Sequence, residues 1–180
     1  MPMLDAFIPQ GALAPEAEAT LLRELTDLLM RNEGIDPANE RARAVSLVFL
    51  HRPAAIYVGG APATSPRYRF VASVMEGLYD DARRANIVRE VTQAVARAEG
   101  TAFDDVAPRV WVFPNEIRDG GWGGRGVIRR LPEFLAYALG EQAAAQGAEA
   151  LADRRRKEAL AILAAASGTD DQPKPSGNRE

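Results

Sequence analysis

Short apolar runs predict four β-strands in the first two thirds of the chain. Residues 3–8 and 70–75 are mostly apolar, and a glycine suited to a turn follows each run within three residues. Apolar residues also dominate positions 45–50 and 109–113. We therefore expect two pairs of largely buried strands.

The segments between the paired strands have helical periodicity. Pro15 suits the first turn of one helix, and Gly34 and Gly100 suit the positions just after the last turns of two helices. Leucines at spacings of three and four form one apolar stripe, at Leu21, Leu22, Leu25, Leu28 and Leu29. Such a stripe predicts a helix that packs against a sheet.

The chain repeats itself at a distance of 66 residues, the separation of Gly34 from Gly100. Residues 21–26 (LLRELT) resemble residues 87–92 (IVREVT), and the same distance separates Gly11 from Gly77 without a gap. This indicates two copies of one strand-helix-strand unit.

A β-α-β unit of this size has parallel strands and a right-handed crossover. Two units joined by residues 59–66 predict an α/β (α+β) fold, a four-stranded sheet with both helices on one face. The other face would be bare. Since an apolar sheet face needs a cover, we expect another copy of the chain to supply it, and hence a homo-oligomer.

The carboxy-terminal part predicts more helix. Residues 127–139 suit a helix interrupted early by Pro132, and residues 148–166 an alanine-rich helix whose basic run at 154–157 faces solvent. We divide the chain into a domain at 1–139 with repeat units at about 2–60 and 68–126, a helical extension at 140–166 and a disordered tail at 167–180.

Composition excludes several kinds of site. The chain has no cysteine and one histidine, His51, which excludes disulfides, thiolate zinc sites and zinc sites built on several histidines. The net charge of −3 argues against nucleic acid and anionic membranes as partners. With neither a signal peptide nor an apolar run long enough to cross a membrane, we expect a cytoplasmic protein.

Pro2 is the leading candidate for chemistry. If Met1 is removed, Pro2 carries a free secondary amine at the start of a strand. An ordinary α-amino group titrates near about 8, and burial lowers that pKa, so a buried terminal amine would be a suitable general base at neutral pH. The repeat places Tyr68 at the corresponding position of the second unit. The alternative is that Met-Pro has no role beyond starting translation.

The terminal proline, the duplication and a glycine-rich turn with an aromatic residue after the last strand resemble the tautomerase superfamily. Residues 37–41 (PANER), 51–53 (HRP) and 122–126 (WGGRG) are similar, in this order, to segments of its malonate semialdehyde decarboxylase group. The resemblance covers residues 2–139. It implies a trimer without metal or organic cofactor, acting on a small carboxylate at a site around the terminal proline.

Individual residues follow from this resemblance. Pro2 matches the catalytic proline, Glu40 stands where the decarboxylase has an aspartate, and Arg109 resembles the strand arginine by which oxalocrotonate tautomerase binds carboxylate. The decarboxylase's arginine pair is missing, because residues 77–80 are GLYD. Arg83 lies one turn later and is a further candidate for the substrate carboxylate.

Each of these residues also has an ordinary structural interpretation. Glu40 would activate a water or be a solvated carboxylate, and Arg109 would clamp a carboxylate or lie on an edge strand. Trp122 would wall the pocket or pack in the core. His51 we expect at a strand end in a structural role.

Residues 121–126 (GWGGRG) satisfy the dinucleotide pattern G-x-G-x-x-G. A true site has this motif directly after a strand and an acidic residue at the end of a following strand, and this chain has neither. We predict a hairpin turn instead.

Three functions remain open from the sequence. The leading one is proton transfer between carbon and oxygen of an enolisable oxo acid, with Pro2 as the shuttle. The second is decarboxylation or hydration of a small 3-oxo or unsaturated acid with help from Glu40. The third is a non-catalytic oligomer that retains the fold.

Overall fold

A computed structural model describes residues 2–167 and has a four-stranded sheet at its centre. In chain order the elements are β1 (Met3–Phe7), α1 (Pro15–Asn32), α2 (Glu40–Arg43), β2 (Leu47–His51), β3 (Tyr57–Val58), β4 (Ala61–Pro62), β5 (Tyr68–Met75), α3 (Asp81–Glu99), α4 (Phe103–Val106), β6 (Val110–Ile117), β7 (Gly123–Gly124), β8 (Val127–Ile128), α5 (Leu131–Leu139) and α6 (Ala144–Ala166). The fold predicted from the sequence, α+β with a four-stranded sheet, is confirmed.

The sheet has the strand order β2-β1-β5-β6. β1 and β2 are parallel, β5 and β6 are parallel, and the central pair β1 and β5 is antiparallel. The start of β1 therefore lies beside the ends of β5 and β6. We call this the Pro2 edge of the sheet, and the starts of β5 and β6 lie at the opposite edge.

The duplication is visible in the backbone. α1 and α3 begin 66 residues apart. Four glycines that the repeat pairs adopt positive φ angles, which glycine reaches without steric cost: Gly11 (75°) and Gly77 (97°), Gly34 (77°) and Gly100 (69°). The two units thus share turns as well as strands and helices.

One face of the sheet forms the core with the helices. Leu4 and Ala6 of β1 and Phe70 of β5 are buried against the apolar faces of α1 and α3, which also contact each other. The buried face of α1 is formed by the predicted leucine stripe, in which Leu21, Leu25, Leu28 and Leu29 are buried.

The other face of the sheet is open within one chain. Its residues alternate with the buried ones and lie in three rows across the strands. The rows are Leu47, Met3, Ser73, Asn115; then Phe49, Asp5, Val71, Phe113; then His51, Phe7, Arg69, Trp111. Four large apolar side chains on this open face remain 45–49% exposed, namely Leu47, Phe49, Trp111 and Phe113.

Polar contacts on the open face join its strands. His51 lies 2.6 Å from the Asp5 carboxylate and stacks on Phe7, and the Arg69 guanidinium lies over the rings of Phe7 and Phe113. His51 is the last residue of β2.

Three local predictions need correction or extension. The predicted linker at 59–66 contains part of the hairpin β3–β4, turned by Gly59 and Gly60 at positive φ. The helix predicted over residues 127–139 begins only at Leu131, because residues 127–128 pair as β8 and Pro132 lies in the first turn, where proline is tolerated. The helix predicted from residue 148 begins at Ala144.

The two carboxy-terminal helices pack closely. Gly147 of α6 approaches the backbone of α5 so nearly that a Cβ there would lie 2.8 Å from Pro132. The basic run of α6 is interleaved with carboxylates, since Arg155 pairs with Asp119 and Arg156 with Asp153. The predicted tail lies, apart from Ser167, outside the described residues. None of the helices described is both long and apolar enough to cross a membrane.

Candidate active site

Pro2 is buried at the start of β1. Its carbonyl oxygen accepts a hydrogen bond of 3.2 Å from the Leu47 backbone N–H. Continuing the two registers of β1 by one residue places Ser46 and Val74 beside Pro2. Met1 lies outside the described residues, so its removal stays a prediction.

A pocket of about 170 Å³ lies at the Pro2 edge. Two of its lining residues, Val45 and Met75, are one step beyond the residues that flank Pro2 in the register. The others come from the β7–β8 hairpin, the segment after it and α5: Gly124, Arg125, Arg129, Glu133, Phe134 and Tyr137. The pocket, with two guanidinium groups and one carboxylate, therefore lies at the same end of the sheet as Pro2, which is not itself one of its lining residues.

Arg125 is held there by an unusual turn. Gly124 pairs with Val127, so Arg125 and Gly126 are the two turn residues of the β7–β8 hairpin, with φ of 53° and 78°. Among residues 2–167 Arg125 is the single non-glycine residue with positive φ. This conformation costs about 1–3 kcal/mol and is concentrated at functional sites. Asparagine, aspartate or glycine would suit the turn better, so the arginine points to a use for its side chain.

Arg129 follows β8 and is fixed through its backbone, whose N–H donates to the Trp122 carbonyl at 2.8 Å. Its guanidinium lies 4.0 Å from the Glu133 carboxylate and is about half exposed. A half-exposed arginine with one weak partner keeps donors for a ligand carboxylate.

Two buried polar groups also lie near the amino terminus. Glu33, at the carboxyl end of α1, is 4% exposed. Burial raises the pKa of its carboxyl, and the positive charge of the amino terminus opposes this rise. Tyr79 is 2% exposed, and burial together with the Glu33 and Glu116 charges raises the pKa of its phenol.

The loop that carries Tyr79 is held by Glu116 of β6. One oxygen of Glu116 accepts from the backbone N–H groups of Gly77 and Tyr79, both at 3.0 Å. The other pairs with Arg84 and, at 3.5 Å, with Arg154. Tyr79 is thus fixed at the Pro2 edge by a carboxylate that two arginines neutralise.

Arg109 does not lie near Pro2 of its own chain. It immediately precedes β6 and is therefore at the opposite edge of the sheet. Both arms of its guanidinium donate to the Glu99 carboxylate, and one also donates to the Pro66 carbonyl at 3.0 Å. Within one chain Arg109 is thus paired with Glu99 at the edge away from Pro2, and its role in binding a substrate carboxylate stays a prediction.

The other predicted site residues are also placed by the structure. Arg83 lies in the first turn of α3 and donates to the Leu78 carbonyl at 2.7 Å, so it braces the Tyr79 loop. Trp122 is 5% exposed and part of the core, the second of its two predicted places. Glu40 is the exposed first residue of α2, the short helix before β2.

A larger hollow of about 440 Å³ lies at the opposite edge. Arg67 is the one charged residue among the described residues that line it, and it donates to the Pro108 carbonyl. Because that hollow lacks an acid and base pair, the smaller Pro2 pocket is the better candidate site. Residues 2–167 contain no cluster of three histidine, aspartate or glutamate side chains placed to hold a metal ion.

Comparison of the structure with solved structures gives matches to tautomerase-superfamily proteins. A fused 4-OT solved as a symmetric trimer has 22% sequence identity and a TM-score of 0.56, over 70% of this chain and 94% of its own. Pt0534, solved after inactivation by 2-oxo-3-pentynoate, has 20% identity and a TM-score of 0.57 over the same shares. N1, a member of the cis-3-chloroacrylic acid dehalogenase family, has 16% identity and a TM-score of 0.57, over 80% of this chain and 99% of its own.

These matches establish a tautomerase-type fold and bear out that part of the sequence resemblance. No protein-family model matches the chain, and no curated protein sequence matches it.

Proposed function

We propose that this protein is a tautomerase-superfamily enzyme that moves a proton between carbon and oxygen of a small oxo acid, with Pro2 as the acid-base group. The observation that carries the proposal is the pocket at the Pro2 edge, which Arg125 and Arg129 line together. An arginine that binds the substrate carboxylate beside an amine of suitable pKa is sufficient for this reaction.

The pocket favours a small substrate. Its volume of about 170 Å³ lies below the roughly 300–1,000 Å³ of pockets that hold drug-sized ligands. Phe134 and Tyr137 supply apolar walls for a short carbon chain. The inactivation of Pt0534 by 2-oxo-3-pentynoate, itself a small 2-oxo acid, agrees with this substrate class.

The second candidate is cofactor-free decarboxylation or hydration of a small 3-oxo or unsaturated acid. Decarboxylation needs closely placed cations, and residues 77–80 contain none. Arg125 and Arg129 together line the pocket, and this observation favours the second candidate. Glu40, exposed on α2, would activate the water in a hydration.

The test compares two substrates on one preparation. We expect the chain to convert the enol of an aryl or alkyl pyruvate to its keto form, followed by ultraviolet absorbance, and to turn over malonate semialdehyde more slowly. Faster decarboxylation than tautomerisation would reverse the order of the candidates. Activity on neither would favour the non-catalytic oligomer.

Removal of Met1 is a precondition of the proposed amine mechanism. We expect the intact mass of protein purified from cells to lack Met1, because the side chain of Pro2 is small. Quantitative retention of Met1 would exclude the amine mechanism, since the nitrogen of Pro2 would be a non-basic amide.

Removal of each pocket arginine should weaken turnover. Arg125→Asn retains a residue that suits the turn, and Arg129→Gln retains a polar side chain without the charge, so both variants should fold. We expect each to lower kcat/KM by about tenfold to a hundredfold, the worth of a hydrogen bond to a charged group. The control is Arg156→Gln, an exposed arginine of α6 outside the pocket. A loss in the control equal to that in the pocket variants would contradict the assignment.

We propose further that the protein is a homotrimer. The open face exposes four large apolar side chains in one chain, and fused 4-OT structures of the same fold are trimers.

A further inference from the structure

Glu33 carries a buried carboxylate for which the mechanism above has no role. It follows the last turn of α1 and is 4% exposed. A carboxylate this deeply buried is costly unless it is protonated or paired with a cation. Burial raises the pKa of the Glu33 carboxyl, and the positive charge of the amino terminus lowers it.

The second repeat unit shows what a glutamate at this position does. Glu99 lies 66 residues after Glu33 and Tyr68 lies 66 residues after Pro2. Glu99 accepts a hydrogen bond of 2.6 Å from the Tyr68 hydroxyl and receives both arms of Arg109. In that unit the glutamate thus contacts the first residue of the strand and an arginine that immediately precedes the neighbouring strand.

The first unit lacks that arginine. Arg109 comes one residue before Val110, the register partner of Tyr68, whereas the residue one before Ser46, which lies beside Pro2, is the apolar Val45. The terminal amine is therefore the group available to take the place of both Tyr68 and Arg109. When Met1 is removed, this charge moves one residue along the chain, onto the nitrogen of Pro2.

Tyr79 completes the surroundings of Glu33. Burial, together with the charges of Glu33 and Glu116, raises the pKa of its phenol, so the phenol stays protonated. The hydroxyl has no hydrogen-bond partner among residues 2–167. A buried hydroxyl without a partner still has a hydrogen bond to donate.

We propose that Glu33 is a positioning residue that serves as the counter-ion of the Pro2 amine and keeps it protonated in the resting enzyme. The ammonium of Pro2 then gives its proton to the substrate carbon, and the neutral amine takes the proton of the enol oxygen, which restores the ammonium and yields the keto acid. Pro2 thus acts first as an acid and then as a base. This inference rests on the proposed acid-base role of Pro2, and it replaces the neutral resting amine expected from burial alone.

The test is the titration of the Pro2 nitrogen itself, followed by nitrogen-15 NMR in processed protein labelled at proline. We expect the wild-type amine to titrate above about 8, the ordinary value of an α-amino group. In Glu33→Gln the midpoint should fall by about one to three pH units, the effect of removing an opposite charge a few ångströms away. The upper limb of the pH profile of kcat/KM should move with it.

The repeat offers a matched control. Glu99→Gln makes the same change at the corresponding position of the second unit, at the opposite edge of the sheet, and should leave the Pro2 midpoint unchanged. Glu33→Asp keeps the charge on a shorter side chain and should give a midpoint between the wild type and Glu33→Gln, so the test survives if Glu33→Gln does not fold.

The outcomes separate this inference from the proposed function. Equal midpoints in wild type and the folded Glu33 variants would overturn the role of Glu33, whatever the activity. Because the titration needs no turnover, a shifted midpoint in a protein inactive on every substrate would support the ion pair and contradict the proposed function.

Discussion

Pro2→Ala is expected to lower kcat/KM for enol-to-keto conversion by about a hundredfold or more, the range that a positioned acid or base contributes. Alanine is also small, so Met1 should still be removed and the variant keeps a terminal amine. That amine is primary, lacks the ring that fixes the backbone angle of Pro2, and has an altered pKa and direction. The effect is measured by following the ultraviolet absorbance of the enol with both proteins at equal concentration.

A second variant of the same terminus removes the basicity of the Pro2 nitrogen and keeps the proline. One residue added before Pro2 that cells do not remove turns the nitrogen into a tertiary amide, which has no proton to give and no basicity. We expect no activity from this extended chain above the rate in buffer. Full activity in the extended chain, or equal rates for wild type and Pro2→Ala, would remove Pro2 from the mechanism.

The sequence predicts the fold well because it contains the same strand-helix-strand unit twice. The 66-residue repeat, the leucine stripe of α1 and the turn glycines at 34 and 100 each point to the same strand-helix-strand unit, and the structure contains it in both halves. The short elements were missed because two-residue strands such as β3 and β4 carry no periodicity. Their signal was Gly59-Gly60, a pair typical of tight hairpins.

The arginines of the pocket were not predicted, although a signal for them was present. Arg125 lies in the segment 121–126, which drew attention for its glycines and was correctly interpreted as a hairpin turn. The antiparallel centre of the sheet brings the end of β6, and the hairpin after it, to the edge where β1 starts. The same topology places Arg109, at the start of β6, at the other edge. The resemblance of Arg109 to a strand arginine of oxalocrotonate tautomerase does not say at which edge of the sheet Arg109 lies.

Glu33 shows a second limit of sequence reasoning. The repeat pairs Glu33 with Glu99, but a glutamate near the end of a helix is usually solvated. Its importance comes from burial, which depends on how α1 ends against the sheet and on the Tyr79 loop fixed by Glu116. Pro2 could be proposed from the sequence alone, because the chemistry proposed for it depends on its position in the chain.

Phe49→Glu is expected to convert the trimer to monomers. Phe49 lies in the central row of the open face, beside Asp5 of β1, and is 46% exposed in one chain. A stable interface buries about 800 Å² on each partner. A glutamate within it would be desolvated without a partner and next to a carboxylate of like charge, which costs several kcal/mol.

The change should leave the folded chain intact, because Phe49 points away from the helices and its removal opens no cavity in the core. Light scattering after gel filtration at micromolar concentration should give three times the chain mass of 19.5 kDa for wild type and the chain mass itself for Phe49→Glu. Circular dichroism should show unchanged helix content. The melting temperature of wild type should rise with protein concentration and that of the variant should not, since only an oligomer gains stability by mass action.

The matched control for the interface is Ile162→Glu. Ile162 is 68% exposed on α6, outside the open face, and the substitution introduces the same charge in place of an exposed apolar side chain. We expect this variant to remain a trimer. A wild-type chain that is monomeric at micromolar concentration would contradict the trimer directly. If both variants dissociate, or neither does, the open face is not the surface that joins the chains, and the apolar row formed by Phe49, Val71 and Phe113 needs another explanation.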